Sequence, residues 1–229
     1  MTSRDRARMM LVISVVATVV VYAVGPLRTL AYPLLLLSTL AHEMGHGLAA
    51  MLTGARFERL VVNFDGSGVA YWSAVPSRLR LGFVAAGGLV GPAFAAAFGF
   101  LLGRRPKTAR RTLGVVSVLL ALSLILVVRG VAGWVFVGVL AVLLGLLARS
   151  ASDEFAQLVL VFLSVQLALS VFSRGDYLFT DTARTAGGPM PSDVAHMAQA
   201  LFLPYWFWGF VCGAVSVFVL LLGVRAYWR

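Results

Sequence analysis

Apolar positions along this chain do not recur at a strand or amphipathic-helix period; they run on without interruption. Seven stretches, 9–25, 32–53, 81–103, 112–128, 131–148, 155–173 and 200–224, are predominantly apolar. Each falls within the roughly 17–25 residues that a helix needs to cross about 30 Å of hydrocarbon. The pattern predicts an all-α polytopic membrane protein, one integral-membrane unit over residues 1–229, with six to seven transmembrane helices. The third run carries Gly87, Gly88, Gly91 and Pro92. That cluster either lets helices approach closely or breaks the segment into a re-entrant loop. Two segments between runs are longer than turns. Residues 56–72 hold two β-prone runs, 57–64 and 69–72, around Asp65-Gly66-Ser67-Gly68, and predict a β-hairpin. Residues 174–199 carry Asp176, Asp181, Asp193 and His196, with Gly187-Gly188-Pro189-Met190-Pro191 ahead of a helical stretch from Val194.

Composition narrows the class. Of 229 residues, 60% are hydrophobic and 12% charged, and the mean hydropathy is +0.93. Soluble domains carry about a quarter charged residues, so a water-soluble enzyme, a disordered chain and a disulfide scaffold are excluded. The lone Cys212 has no intramolecular partner. The net charge of +10 is carried by 18 Arg and one Lys. In so apolar a chain these residues anchor helices at anionic headgroups, and no nucleic-acid partner is expected. Arg4, Arg6 and Arg8 precede the first run, but its 17 residues exceed a signal-peptide core and predict an anchor. The same arginines favour a cytoplasmic N-terminus in a multi-pass protein of the cell membrane. Strict alternation would then put Arg104, Arg105, Lys107, Arg110 and Arg111 outside, against the positive-inside tendency.

Chemistry concentrates in the second run, at His42-Glu43-Met44-Gly45-His46. This is H-E-x-x-H within the helix expected over 32–53. Residues four apart share one helical face, so both imidazoles reach one Zn²⁺ and Glu43 stands beside it as general base. Three His and three Glu scattered over 229 positions would produce the motif in roughly 5 of 10,000 chains. The competing reading, polar residues satisfied by neighbouring helices, is disfavoured because ionisable groups at membrane depth are costly and mostly functional. A catalytic zinc needs a third protein ligand, and none stands near the motif. The candidates are Asp193, Asp176 and His196. Asp193 ranks first because it opens a helix behind a Pro-x-Pro segment, although an Asp there is also an ordinary N-cap. Asp176 is the runner-up, with a solvated loop acid as its alternative, and His196 lies three residues beyond Asp193 on the same face. Four runs separate the motif from the Asp193 segment, and an even number returns the chain to the same side.

These residues resemble the site-2 protease family of intramembrane zinc metalloproteases, in particular its compact bacterial-type branch. The resemblance rests on His42–His46, on Leu52-Thr53-Gly54-Ala55-Arg56 leading into an extended segment that ends near Asp65–Gly68, on the Gly87–Pro92 segment, and on Ser192-Asp193 before a helix. It spans about residues 31–210. It implies one Zn²⁺ per chain held by His42, His46 and a distant Asp, best matched by Asp193, and cleavage of a peptide bond in or near a transmembrane segment of a membrane protein. The late family pattern of Asn, Pro and Leu-Asp-Gly is reduced here to Pro189-Met190-Pro191-Ser192-Asp193-Val194. With no soluble regulatory domain, recruitment falls to the membrane part or to a regulatory membrane partner. The hairpin, through Asn63, Gly66 and Gly68, is expected to hold substrate as an added strand. The alternatives are a non-catalytic metal-binding chaperone or binding module of the same fold, which would lose Glu43 or a histidine, and a transporter, which would scatter polar residues over several spans.

Overall fold

The structure, a computed structural model, describes residues 3–24, 29, 31–173, 177–185 and 188–229. Its helices are α1 (Ser3–Ala23), α2 (Ala31–Leu52), α3 (Arg78–Gly103), α4 (Pro106–Leu126), α5 (Val131–Ser150), α6 (Asp153–Ser173), the short α7 (Asp193–Leu201) and α8 (Tyr205–Trp228). With 78% of the chain helical and six helices long and apolar enough to cross a membrane, the all-α polytopic expectation holds. The six are α1, α3, α4, α5, α6 and α8. α2 has the length, but His42, Glu43 and His46 dilute its apolarity. Mid-helix outward positions are apolar, as at Val115, Val118, Leu122 and Ile125 on α4, all exposed. In a bilayer those side chains meet hydrocarbon, and only backbone satisfied within helices is tolerated there.

Helix directions differ from simple alternation. Arg6 pairs with Glu154 and Gln166 donates to Thr18, both at an offset of 148 residues, so α1 runs parallel to α6. Gln157 Nε2 donates to the Gly103 carbonyl at 2.8 Å, and Gly99 faces Ser164, so α3 is antiparallel to α6. Gly91 meets Ala41 while His46 meets Val84, so α2 is antiparallel to α3. Consecutive helices α1 and α2 therefore point the same way. Tyr227 donates to the Ala7 carbonyl, and Arg110 joins the end of α5 to Asp153 at the start of α6. The start of α1, the 104–111 segment, Arg149 and the end of α8 thus share one end of the bundle. The charge conflict arose from assuming that α1 and α2 alternate. α3 to α6 do alternate, so the four-helix parity between α2 and the Asp193 segment holds.

Strand β1 (Arg56–Val62) pairs antiparallel with β2 (Gly68–Ser73), as the turn sequence predicts. Gly66 takes φ +85 in the turn, and Asp65 accepts from the backbone and hydroxyl of Ser67, which hold its carboxyl below the usual value. Two pairings were not foreseen. β3 (Val128–Arg129) adds parallel to β1, giving the order β2-β1-β3. β4 (Thr182–Thr185) and β5 (Gly188–Pro191) form a second hairpin within what the sequence presented as a loop. The last helix also begins later than the apolar run from residue 200, because Phe202 turns left-handed at φ 68 and Pro204 precedes α8.

α3 passes through Gly87, Gly88, Gly91 and Pro92 as one helix, so the glycine cluster serves close approach and not a break. A Cβ on Gly45 would lie 2.3 Å from the Gly87 oxygen, and one on Gly91 3.1 Å from the Gly45 Cα. The two backbones are in contact, as small-residue interfaces permit in membranes. Gly45→Ala is therefore expected to lower stability by about 1–3 kcal/mol through forced separation of the helices. In Gly114→Ala the new methyl meets Ala148 Cβ at an ordinary 3.5 Å, and stability should be unchanged or slightly raised. Thermal unfolding of the two variants in one detergent checks the contrast; equal shifts would contradict it.

Candidate metal centre and active site

On α2, His42 and His46 present their rings side by side, centroids 4.8 Å apart and nearly perpendicular. His46 Nδ1 stands 2.8 Å from the Val84 carbonyl oxygen of α3. A carbonyl only accepts, so Nδ1 carries the proton and Nε2 keeps its lone pair for the site, the usual outer-shell arrangement of a metal-binding histidine. Glycines make the contact possible. A Cβ on Gly88 would fall 2.2 Å from His46 Nε2 and Cε1. On α2 itself, Gly45 admits α3 on one side of His46, and Gly47 admits the Phe57 ring of β1 on the other.

Asp193 arrives from the far end of the sequence. Ser192, not Asp193, is the N-cap of α7: its hydroxyl accepts from Ala195 N at 3.2 Å and donates to the Thr180 carbonyl at 2.6 Å. The ordinary capping role considered for Asp193 is thereby filled by its neighbour, and the Asp193 carboxylate is left for the site. Buried Val194 and Met197 pack against Ala85, Leu89 and Cys212, fixing α7 on α3 and α8.

The three side chains meet. Asp193 Oδ2 lies 3.0 Å from His42 Nε2 and 3.3 Å from His46 Nε2, and the two Nε2 atoms are 3.2 Å apart. Among the described residues this is the group of His, Cys, Asp or Glu side chains able to share a metal ion. Ligand atoms of a tetrahedral zinc, with bonds of about 2.0–2.1 Å, stand roughly 3.3 Å from one another. The triangle fits that spacing. Asp193 Oδ2 is also buried with no aligned hydrogen-bond donor, a costly state unless a cation shares it.

Glu43 is buried beside the triangle. Gly68 of β2 lies directly on it: a Cβ there would be 2.7 Å from Glu43 Cγ and 2.9 Å from Oε1. Thr39, one turn earlier on α2, donates to the Gly66 carbonyl at 2.6 Å and ties the hairpin turn to the helix. His42, Glu43, His46, Asp193 and His196 all line one cavity of about 260 Å³. Its lining includes Gly68, Val69, Ala70 and Trp72 of β2 and Ala183, Met190 and Pro191 of the second hairpin.

Of the residues expected from the sequence, His42, His46 and Asp193 are brought together, with Glu43 adjoining. Asp176 lies outside the described residues. His196 faces the cavity but is not among the three clustered ligands. Gly68 lines the cavity, whereas Asn63 bonds Ser67 within the turn and Gly66 packs on Leu35. Sequence reasoning included Trp72 only as the end of the hairpin and missed the β4–β5 wall; the Thr-Ala-Arg-Thr segment ahead of Gly-Pro-Met-Pro was the available signal.

A family model described as Peptidase M50B-like matches residues 10–223, which include both histidines, Glu43 and Asp193. No curated protein and no solved structure matches the chain. The resemblance to site-2 proteases carried by the H-E-x-x-H helix is borne out over nearly the full length, and the chain, a multi-pass membrane protein by its helices, belongs to the Peptidase M50B-like family.

Proposed function

We propose that this protein is an intramembrane zinc metalloendopeptidase of the cell membrane that hydrolyses a peptide bond in or near a transmembrane segment of a protein substrate. The observation that carries this reading is the ligand triangle of His42, His46 and Asp193, with edges of 3.0–3.3 Å, beside the buried Glu43. These three residues would hold one Zn²⁺, which when bound polarises the scissile carbonyl and makes water acidic enough to attack near neutral pH.

Glu43 is the proton carrier. Its carboxylate takes a proton from the attacking water and passes it to the departing amine nitrogen. Gly68 against its side chain restricts its positions. A cleavable peptide must be extended, and β2 has one edge paired to β1 and the other unpaired in the sheet order β2-β1-β3. Substrate pairing along that edge, at Gly68, Val69 and Ala70, supports its backbone polar groups where the bilayer cannot. A second membrane protein acting as regulator is compatible with this arrangement and is left to recruitment of the substrate.

Three outcomes test the reading. The purified native chain should carry close to one zinc, lost in His46→Ala and in Asp193→Asn and kept in Asp176→Asn, as counted by elemental analysis. Glu43→Gln should keep its zinc while cleavage of single-span peptides in proteoliposomes falls about 10²–10⁴-fold. Native protein that binds no zinc under metal-replete conditions, or that cuts no member of a broad panel of such peptides, would overturn it. Gly88→Val should reduce zinc occupancy, because its side chain occupies the position of His46 Nε2; full occupancy would show that α3 can yield there.

A further inference from the structure

His196 is the one imidazole of the cavity that the ligand triangle does not use. It sits three residues after Asp193 on α7, so one rigid helical turn carries both toward the same space. Its backbone N–H donates to the Ser192 carbonyl at 2.9 Å, and Ser192 is itself fixed at both ends of its hydroxyl. The position of the ring is therefore set by the same cap that sets the Asp193 carboxylate. The residue is half-buried, and among the described residues its ring makes no hydrogen bond. A histidine held on a supported helix beside a reactive site, with its ring N–H unengaged, is available to a ligand. Among the described residues, Trp72 is the other side chain outside the triangle that brings an N–H to this cavity.

The reaction proposed above needs such a group. As water adds to the scissile carbonyl, the π electrons move to oxygen and negative charge develops there. A donor already aimed at that oxygen lowers the barrier because it needs no reorganisation as the charge forms. Glu43 cannot act in this way, since its carboxylate accepts and stands on the α2 side against β2. His196 lines the same cavity from α7.

We propose that His196 is a catalytic residue of this protein, donating a ring N–H hydrogen bond to the carbonyl oxygen of the scissile peptide as charge builds on it. No proton leaves the ring: the water proton travels through Glu43 to the amine, the C–N bond breaks, and His196 ends the cycle as it began. The proposal rests on the hydrolytic reading and can fail separately from it.

The test uses the full chain in detergent and in proteoliposomes, with His196→Ala and His196→Gln compared to native protein. Three quantities are read: zinc per chain, kcat and KM on the fastest-cut single-span peptide of the panel, and affinity for a phosphinic peptide, whose tetrahedral phosphinate oxygens mimic the charged carbonyl oxygen. Zinc should be unchanged in both variants. In His196→Ala, kcat should fall about 100-fold with KM within about threefold, and phosphinic-peptide affinity should fall at least about tenfold. His196→Gln, which keeps an N–H donor, should recover part of both. Loss of zinc in either variant would make His196 a ligand or a structural support and overturn the proposal, as would phosphinic affinity and kcat close to native. A native chain that binds zinc and the phosphinic peptide but cleaves nothing would sink the hydrolytic reading, while the affinity comparison would still decide the role of His196.

Discussion

The backbone contact between α2 and α3 at Gly45, Gly87 and Gly91 sets the geometry of the site. Because no side chain separates the helices there, the Val84 carbonyl comes within 2.8 Å of His46 Nδ1 and fixes which ring nitrogen faces inward. With a residue as small as alanine at Gly45, α3 would have to move outward, and the carbonyl, the clearance over Gly88 and the floor on which α7 packs would move with it. Membrane helices lack the hydrophobic drive that would hold them together around a larger residue. Glycine at these positions is thus a condition of the α3 carbonyl reaching the His46 ring inside an apolar bundle.

The same economy of side chains joins the hairpin to α2. Gly47 receives Phe57, and Gly68 lies on Glu43, so β1 and β2 are laid along the helix opposite to α3. A carboxyl side chain buried in an apolar bundle is expensive unless its surroundings restrict and support it. Here the restriction comes from a strand that also forms the cavity wall. The positions flanking the motif are therefore as much a part of the site as the motif: Gly45 and Gly47 lie on either side of His46 and serve different neighbours.

The local parts of this picture were legible in the sequence. His42, Glu43 and His46 declare themselves by spacing, Asp65-Gly66-Ser67-Gly68 declares a turn, and long apolar runs declare helices. What depends on distant pairing was not legible. The parallel course of α1 and α2 is set by contacts 148 residues apart, Arg6 with Glu154 and Thr18 with Gln166, which no local pattern encodes. β3 is two residues long and exists because β1 runs beside the end of α4. Asp193 could be ranked first among three candidates but not separated from a capping role, since that required seeing Ser192 take the cap.

The two hairpins that wall the cavity are chemically unequal, and the inequality bears on how an extended chain would lie there. β5 contains Pro189 and Pro191 among its four residues, and proline has no N–H to donate, so this strand is a poor template for a further strand. β2 has no proline, and its outer edge is unpaired within its sheet. On the hydrolytic reading, backbone pairing therefore falls to β2, next to Glu43, while β5 contributes apolar side-chain surface through Met190 and Pro191. On that reading a peptide laid along β2 would have its backbone directed by that strand and its side chains met by the second hairpin, in the cavity that Asp193 and His196 of α7 also line.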